Sequence, residues 1–263
     1  MSSSEPLLYY RRDGQGEVLL LLNGIAMSIS SWEPVVALLK SRFTIIRCDF
    51  RGQLLTPGPA PSEVDSHVKD VEELLDSLTP GPVHVAGTSF GGLVGMRLAA
   101  RRPGILSLTI IASADRFDDA MTVEVRRWRN AARQAAESGD HGHLLDVMAA
   151  VVYSKEYRKK NCTLLSNRRD QMQHISPNWF YDLDRLMAST EGIDLTSELG
   201  KIQCPSLIAA AERDGFIPLA RTKALAEAIP RSEFQIISGA GHAVVVENPE
   251  AVAAKILQTT KIR

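Results

Sequence analysis

Short apolar runs alternate along this chain with longer segments in which apolar positions recur every three or four residues. The runs near 18–22, 43–48, 83–87, 107–112, 206–211 and 233–237 predict strands, and the segments near 31–40, 63–78, 91–102, 220–229 and 249–260 predict helices. Strand and helix in alternation call for a mostly parallel central sheet flanked by helices, an α/β fold. Ser62, followed by Glu63 and Asp65, supplies a cap and early carboxylates for the helix near 63–78. Ahead of the first clear run, Leu7-Leu8-Tyr9-Tyr10 and then Arg11-Arg12-Asp13-Gly14 predict an edge strand and a turn.

The alternation stops between Ser113 and about Ile193. Helical spacing continues there without strands, over Val123 to Ser138, Leu144 to Tyr153, Tyr157 to Gln173 and a shorter piece around Trp179 to Met187. Residues 1–114 and 195–263 are therefore expected to form the α/β core, with residues 115–194 as a helical insertion. Trp128, Met148, Met172, Trp179, Phe180 and Tyr181 are its large apolar or amphipathic residues, expected to pack between its own helices.

Composition changes this picture little. The 263 residues carry Lys+Arg 30 against Asp+Glu 31, a formal net charge of −1, and no nucleic-acid-binding motif, so no nucleic-acid partner is expected. Met1 to Pro6 lacks the charged-then-apolar pattern of a secretory signal, and no apolar run is long enough to cross a membrane. A cytoplasmic location follows as an expectation. Cys48, Cys162 and Cys204 form an odd set without metal-ligand spacing and are expected as buried, reduced thiols. Charge within the insertion is uneven: residues 126–169 are rich in Lys and Arg, and residues 170–194 lean acidic. Solvated helix faces paired with their neighbours are the expectation, in preference to a basic face that attracts an anionic substrate.

Chemistry enters with Gly87-Thr88-Ser89-Phe90-Gly91, which follows the run Val83-His84-Val85-Ala86 and precedes the helix-like segment from Gly92. Glycines on both sides of a serine relieve crowding where a strand reverses into a helix, leaving the side chain exposed above the sheet edge. Downstream, Asp214 falls in the loop Glu212 to Pro218 after the strand 206–211, and His242 falls in the glycine-rich loop after the strand 233–237. Asp115, just past the strand near 107–112, is the competing carboxylate.

The order Ser89, Asp214, His242 resembles the nucleophile, acid and base of the α/β-hydrolases, in the serine-nucleophile branch that includes small esterases and enol-lactonases. Two further segments carry the resemblance. Glu17 to Ile25 is similar to the family's apolar strand and His-Gly loop, with Asn23 where histidine is usual. Phe43 to Gly52 is similar to the strand ending in Asp-x-Arg-Gly, although Leu54 stands where a further glycine is common. The resemblance implies a triad of Ser89, Asp214 and His242, and an oxyanion hole formed by the backbone N–H groups of Ile25 and Phe90. It also implies that the helical insertion is a lid, and that no cofactor or metal takes part. Hydrolysis of a small ester or lactone through an acyl-enzyme is the expected activity. Carbon–carbon bond hydrolysis with the same triad and a small-molecule receptor of this fold stay open as alternatives.

The other histidines carry weaker expectations. His84 is placed in the strand leading to Ser89, and His67 on a surface helix. His141 and His143 flank Gly142 without a strong ligand pattern, and His174 is a candidate to line the substrate pocket.

Overall fold

The computed structural model describes residues 7–78 and 81–261. Met1 to Pro6, the stretch read for a secretory signal, lies outside the described residues. Among the described residues seven strands form one sheet: β1 (Tyr10–Gly14), β2 (Glu17–Leu22), β3 (Phe43–Cys48), β4 (Val83–Thr88), β5 (Ile105–Ile111), β6 (Ser206–Ala211) and β7 (Ser232–Ile237). Their spatial order is β1-β3-β2-β4-β5-β6-β7, with β1 antiparallel to β3 and every other pairing parallel.

Both faces of the sheet are apolar because successive side chains of a strand point to opposite sides. Leu20 and Leu22 of β2 join Ile46, Val85, Leu108 and Ile208 on one face. Their neighbours Leu19 and Leu21 join Ile45, Ala86, Leu207 and Ala209 on the other. The first face is covered by α2 (Val64–Leu78), α3 (Phe90–Arg101) and α9 (Leu219–Ala228). The second is covered by α1 (Glu33–Leu39) and α11 (Pro249–Thr259), with α10 (Val244–Glu247) short and adjacent to α11.

Five helices stand between β5 and β6: α4 (Asp119–Ser138), α5 (His143–Val152), α6 (Lys155–Lys160), α7 (Cys162–Met172) and α8 (Pro177–Ala188). Asp118 caps α4 through its side chain, and Gly139 ends it in the left-handed conformation at φ 77°. At the root of this excursion Leu195 N–H donates to Asp115 O at 2.9 Å, and Arg116 bridges to Asp194. α4 packs along α8, where Arg129 and Arg133 both pair with Asp184, at 2.6 and 3.1 Å.

Several expectations need correction. The single helix expected over 157–173 is two, because Asn161 turns out of helical geometry at ψ 30° and spends its side-chain N–H on Tyr157 O. His67 is fully buried rather than on a surface, wedged edge-on between the rings of Phe50 and Phe90. Of the three thiols only Cys48 is buried, and Cys162 is exposed at the start of α7. All three are free. No helix among the described residues is long and apolar enough to cross a membrane.

Candidate active site

Ser89 sits at the apex between β4 and α3 with φ 52° and ψ −118°, a left-handed backbone that costs a non-glycine residue on the order of 1–3 kcal/mol. The flanking glycines permit the turn by close approach. A Cβ on Gly87 would lie 2.2 Å from Gly91 O, and one on Gly91 would lie 2.3 Å from Leu22 O. Ser113 braces the apex, its hydroxyl donating to Ser89 O at 2.8 Å.

The two other candidate residues reach the same edge from the C-terminal ends of β6 and β7. His242 Nε2 lies 3.0 Å from Ser89 Oγ, and His242 Nδ1 lies 2.9 Å from Asp214 Oδ2. The remaining oxygen of Asp214 accepts the N–H groups of Phe216 and Ile217, both at 2.8 Å, so the carboxylate is held by the backbone of its own loop. Asp115 is buried elsewhere: it accepts the Thr196 hydroxyl at 2.9 Å and lies 3.9 Å from Arg221. Its carboxylate makes no contact with His242.

Ile25 and Phe90 both line the cavity over Ser89. Phe90 opens α3, so its N–H has no acceptor within the helix. The Ile25 N–H has no protein acceptor among the described residues, and its direction follows from the peptide it belongs to. Gln53 Nε2 donates to Gly24 O at 2.6 Å and to Ile25 O at 2.9 Å. In a planar trans peptide the N–H of Ile25 points opposite to the C=O of Gly24, hence away from Gln53.

Gln53 is in turn fixed by Asn23, the residue standing where histidine is usual. Asn23 Nδ2 faces Cys48 O, Asp49 Oδ1 and Gln53 Oε1 at 2.9–3.0 Å, while Asn23 Oδ1 accepts the Trp32 indole N–H at 2.9 Å. Asp49 also receives the N–H groups of Ile29 and Leu55. Burial pushes its carboxyl above the usual range, opposed by these hydrogen bonds. Thr56 adds a bond from its hydroxyl to Asp49 O and accepts Tyr9 N–H at 3.0 Å, which ties the loop to the residue before β1. Gln53 was not singled out from sequence. Its signal is a long amide directly after Arg51-Gly52, within reach of the loop that ends β2.

The cavity above Ser89 has a volume of about 380 Å³ and is mostly apolar. Trp128, Met148, Met172 and Trp179, expected only as packing within the insertion, line it, whereas Phe180 is core and Tyr181 is exposed. His174 is exposed and does not line the cavity; Ile175 does. Leu54 lines it as well and is largely exposed, so the departure from glycine puts an apolar side chain at the loop's outer edge. Of the remaining histidines, His84 bonds Ser107 Oγ at 2.8 Å inside the sheet, His141 packs on Phe180, and His143 faces Gln134.

Glu247 joins the insertion to the histidine loop and also escaped sequence reading. Its carboxylate accepts Ser154 N–H at 2.8 Å, Ser154 Oγ–H at 2.6 Å and Gly241 N–H at 3.1 Å. Beside it, Ala243 N–H donates to Val152 O at 2.8 Å.

Comparison with known proteins agrees with this architecture. RutD of Agrobacterium fabrum (strain C58), whose name proposes a carbamate hydrolase, is 25% identical over 251 residues, 94% of each chain. Among solved structures, the enol-lactonase from Burkholderia xenovorans LB400 superposes with a TM-score of 0.83 at 23% identity, covering 97% of this chain and 96% of that one. MGS-M2, an α/β hydrolase from a Medee basin deep-sea metagenome library, reaches 0.89 at 23% identity, with 97% and 94% covered. Residues 17–249, from the start of β2 to the start of α11, match the family described as alpha/beta hydrolase fold, and the chain belongs to that family.

Proposed function

We propose that this member of the α/β-hydrolase family is a serine hydrolase that cleaves a carboxylic ester or lactone of a small organic substrate through an acyl-enzyme. The observation that carries the reading is the linked pair of hydrogen bonds from Ser89 through His242 to Asp214, at 3.0 and 2.9 Å, under an apolar cavity of about 380 Å³. That volume suits a small acyl group.

In the proposed reaction His242 Nε2 takes the hydroxyl proton of Ser89 as Oγ attacks the substrate carbonyl carbon. Asp214 holds the ring with Nδ1 protonated, leaving Nε2 free to accept, and stabilises the imidazolium that forms. Charge developing on the carbonyl oxygen is met by the N–H groups of Ile25 and Phe90. The tetrahedral species collapses as the alkoxide leaves, protonated by His242. Water then attacks the acyl-enzyme with His242 as base, and the acid departs as Ser89 regains its proton. The insertion over 115–194 acts as the lid that covers this chemistry and shapes the acyl pocket. A carbamate carbonyl, suggested by the names of the relatives, would meet the same serine.

Ser89→Ala tests the assignment, because only the attacking oxygen is lost. The expected result is an unchanged melting temperature, ester turnover reduced by several powers of ten, and loss of covalent labelling by a fluorophosphonate that marks Ser89 in the wild type. A folded Ser89→Ala protein with near-wild-type turnover would overturn it.

A further inference from the structure

One face of α7 looks onto the cavity. Arg168, Gln171 and Met172, with Ile175 just beyond the helix end, are spaced three and four residues apart, and all four line the wall. Met172 and Ile175 suit an apolar acyl chain. Arg168 does not.

Most cations of the insertion are matched by carboxylates. Arg129 and Arg133 pair with Asp184, Arg127 with Glu124, and Arg169, next to Arg168 in the chain, with both Asp140 and Asp146 at 2.9 Å. Arg168 has no carboxylate within 4.0 Å among the described residues. Its one protein hydrogen bond among the described residues runs from Nη1 to the hydroxyl of Tyr153 at 2.9 Å. Tyr153 also lines the cavity and stacks on Tyr157 at 5.3 Å with 14° between the rings, so the phenol steadies the guanidinium and leaves most of its N–H donors unused. Glu247, the acid near Tyr153, is committed to Ser154 and Gly241. The amide of Gln171 likewise has no protein partner among the described residues, and it stands one turn from Arg168 on the same wall.

From this arrangement we infer that Arg168, assisted by Gln171, binds a carboxylate carried by the substrate, so that the hydrolysed compound is a half-ester of a dicarboxylic acid or a carboxylate-bearing lactone. The inference rests on the proposed role of Ser89 for the reaction, though not for the binding. A guanidinium covered by a neutral acyl chain loses hydration and receives nothing in exchange, whereas a carboxylate restores two charge-assisted hydrogen bonds in the geometry its planar fork matches. The same cation thus attracts the acidic substrate and penalises the neutral one of equal length.

Monoethyl adipate and ethyl hexanoate, followed by pH-stat, test the selectivity, and calorimetric binding of adipate to Ser89→Ala protein tests the site without turnover. Wild type should favour monoethyl adipate in kcat/KM by about tenfold to a hundredfold, the range that a hydrogen bond to a charged group supports. Arg168→Gln should lower that ratio at least tenfold, and Arg168→Lys should restore part of it. A merely structural role would reduce both esters in proportion and leave the ratio alone. Adipate should bind Ser89→Ala protein and bind at least tenfold more weakly when Arg168→Gln is added. Ester turnover with neither the ratio nor adipate binding responding to Arg168 would overturn the anion site and spare the serine-hydrolase reading. Absent turnover of both esters, with adipate binding that depends on Arg168, would overturn the ester reading and support the site. Absent turnover together with absent adipate binding would overturn both.

Discussion

Asp214 and Asp115 both follow a strand at the same sheet edge, but their hydrogen bonds commit them to different tasks. Asp214 keeps one oxygen for His242 Nδ1, whereas the oxygens of Asp115 face Thr196 and Arg221 near the root of the insertion. Changing Asp214 to Asn should lower kcat by several powers of ten, by analogy with about 10⁴ for the equivalent change in a serine protease. Asp115→Asn should leave kcat within about threefold and act on melting temperature, since it removes a buried acceptor. Members of the proposed triad would act as a unit, so Asp214→Asn added to Ser89→Ala should cause almost no further loss. Steady-state kinetics of the four proteins check this, and a crippling Asp115→Asn with an active Asp214→Asn would move the acid to β5.

His67 is enclosed by the rings of Phe50 and Phe90. Both its ring nitrogens lack hydrogen-bond partners among the described residues, and burial, reinforced by the nearby Arg51 cation, pushes its pKa down to about 3. The folded state therefore keeps this ring neutral, while the unfolded chain protonates it below its ordinary value of about 6.5. With the unfolded state binding the extra proton, stability falls as pH drops through that value, by about 2 kcal/mol between pH 7 and pH 5 from this group alone. Urea unfolding at the two pH values should show a smaller loss for His67→Leu than for wild type, by about that amount. Parallel losses would assign the acid sensitivity to other groups.

At the scale of elements, the loop after β2 and the loop after β3 behave as one piece, because Asn23 and Gln53 link them through buried amides. Truncating Gln53 to Ala frees the carbonyls of Gly24 and Ile25 and lets the Ile25 N–H drift from its aim. Removal of an entire oxyanion donor costs about 10²–10³ in kcat, so with Ile25 in its proposed role the loss of this support should cost about tenfold to a hundredfold, with little change in KM. An effect on KM alone would assign Gln53 to substrate binding instead. Glu247 similarly couples the insertion to the loop carrying His242. Glu247→Gln weakens charge-assisted bonds to Ser154 and Gly241, and a melting temperature lower by about 3–8 °C is expected, together with reduced kcat. An unchanged melting temperature would show that the backbone bond from Ala243 to Val152 suffices to hold the two elements together.

For the whole molecule, apolar runs of strand length separated by helical periodicity were enough to specify a parallel sheet covered on both sides, because burying two sheet faces demands that pattern. Ser89, Asp214 and His242 were legible as candidates because each follows a strand in a loop marked by glycine or by a turn-forming Asp-Gly, a strictly local signal. Local signals carry no information on which distant groups meet. His67 shows the consequence: helical spacing locates it on α2 but not the rings of Phe50 and Phe90 that enclose it, and those come from two other segments. The partners of Gln53 and Glu247, 28 and 93 residues away at Ile25 and Ser154, are equally invisible to periodicity. Sequence by itself determined the layers and the sheet edge on which the polar candidates gather. Tertiary packing alone decided that Trp128 and Met148 face a cavity while Phe180 does not, and that Arg169 is neutralised by two aspartates while Arg168 is not. The reason is physical: helical periodicity defines a face only relative to its own axis, and what that face meets depends on how five helices pack over the sheet.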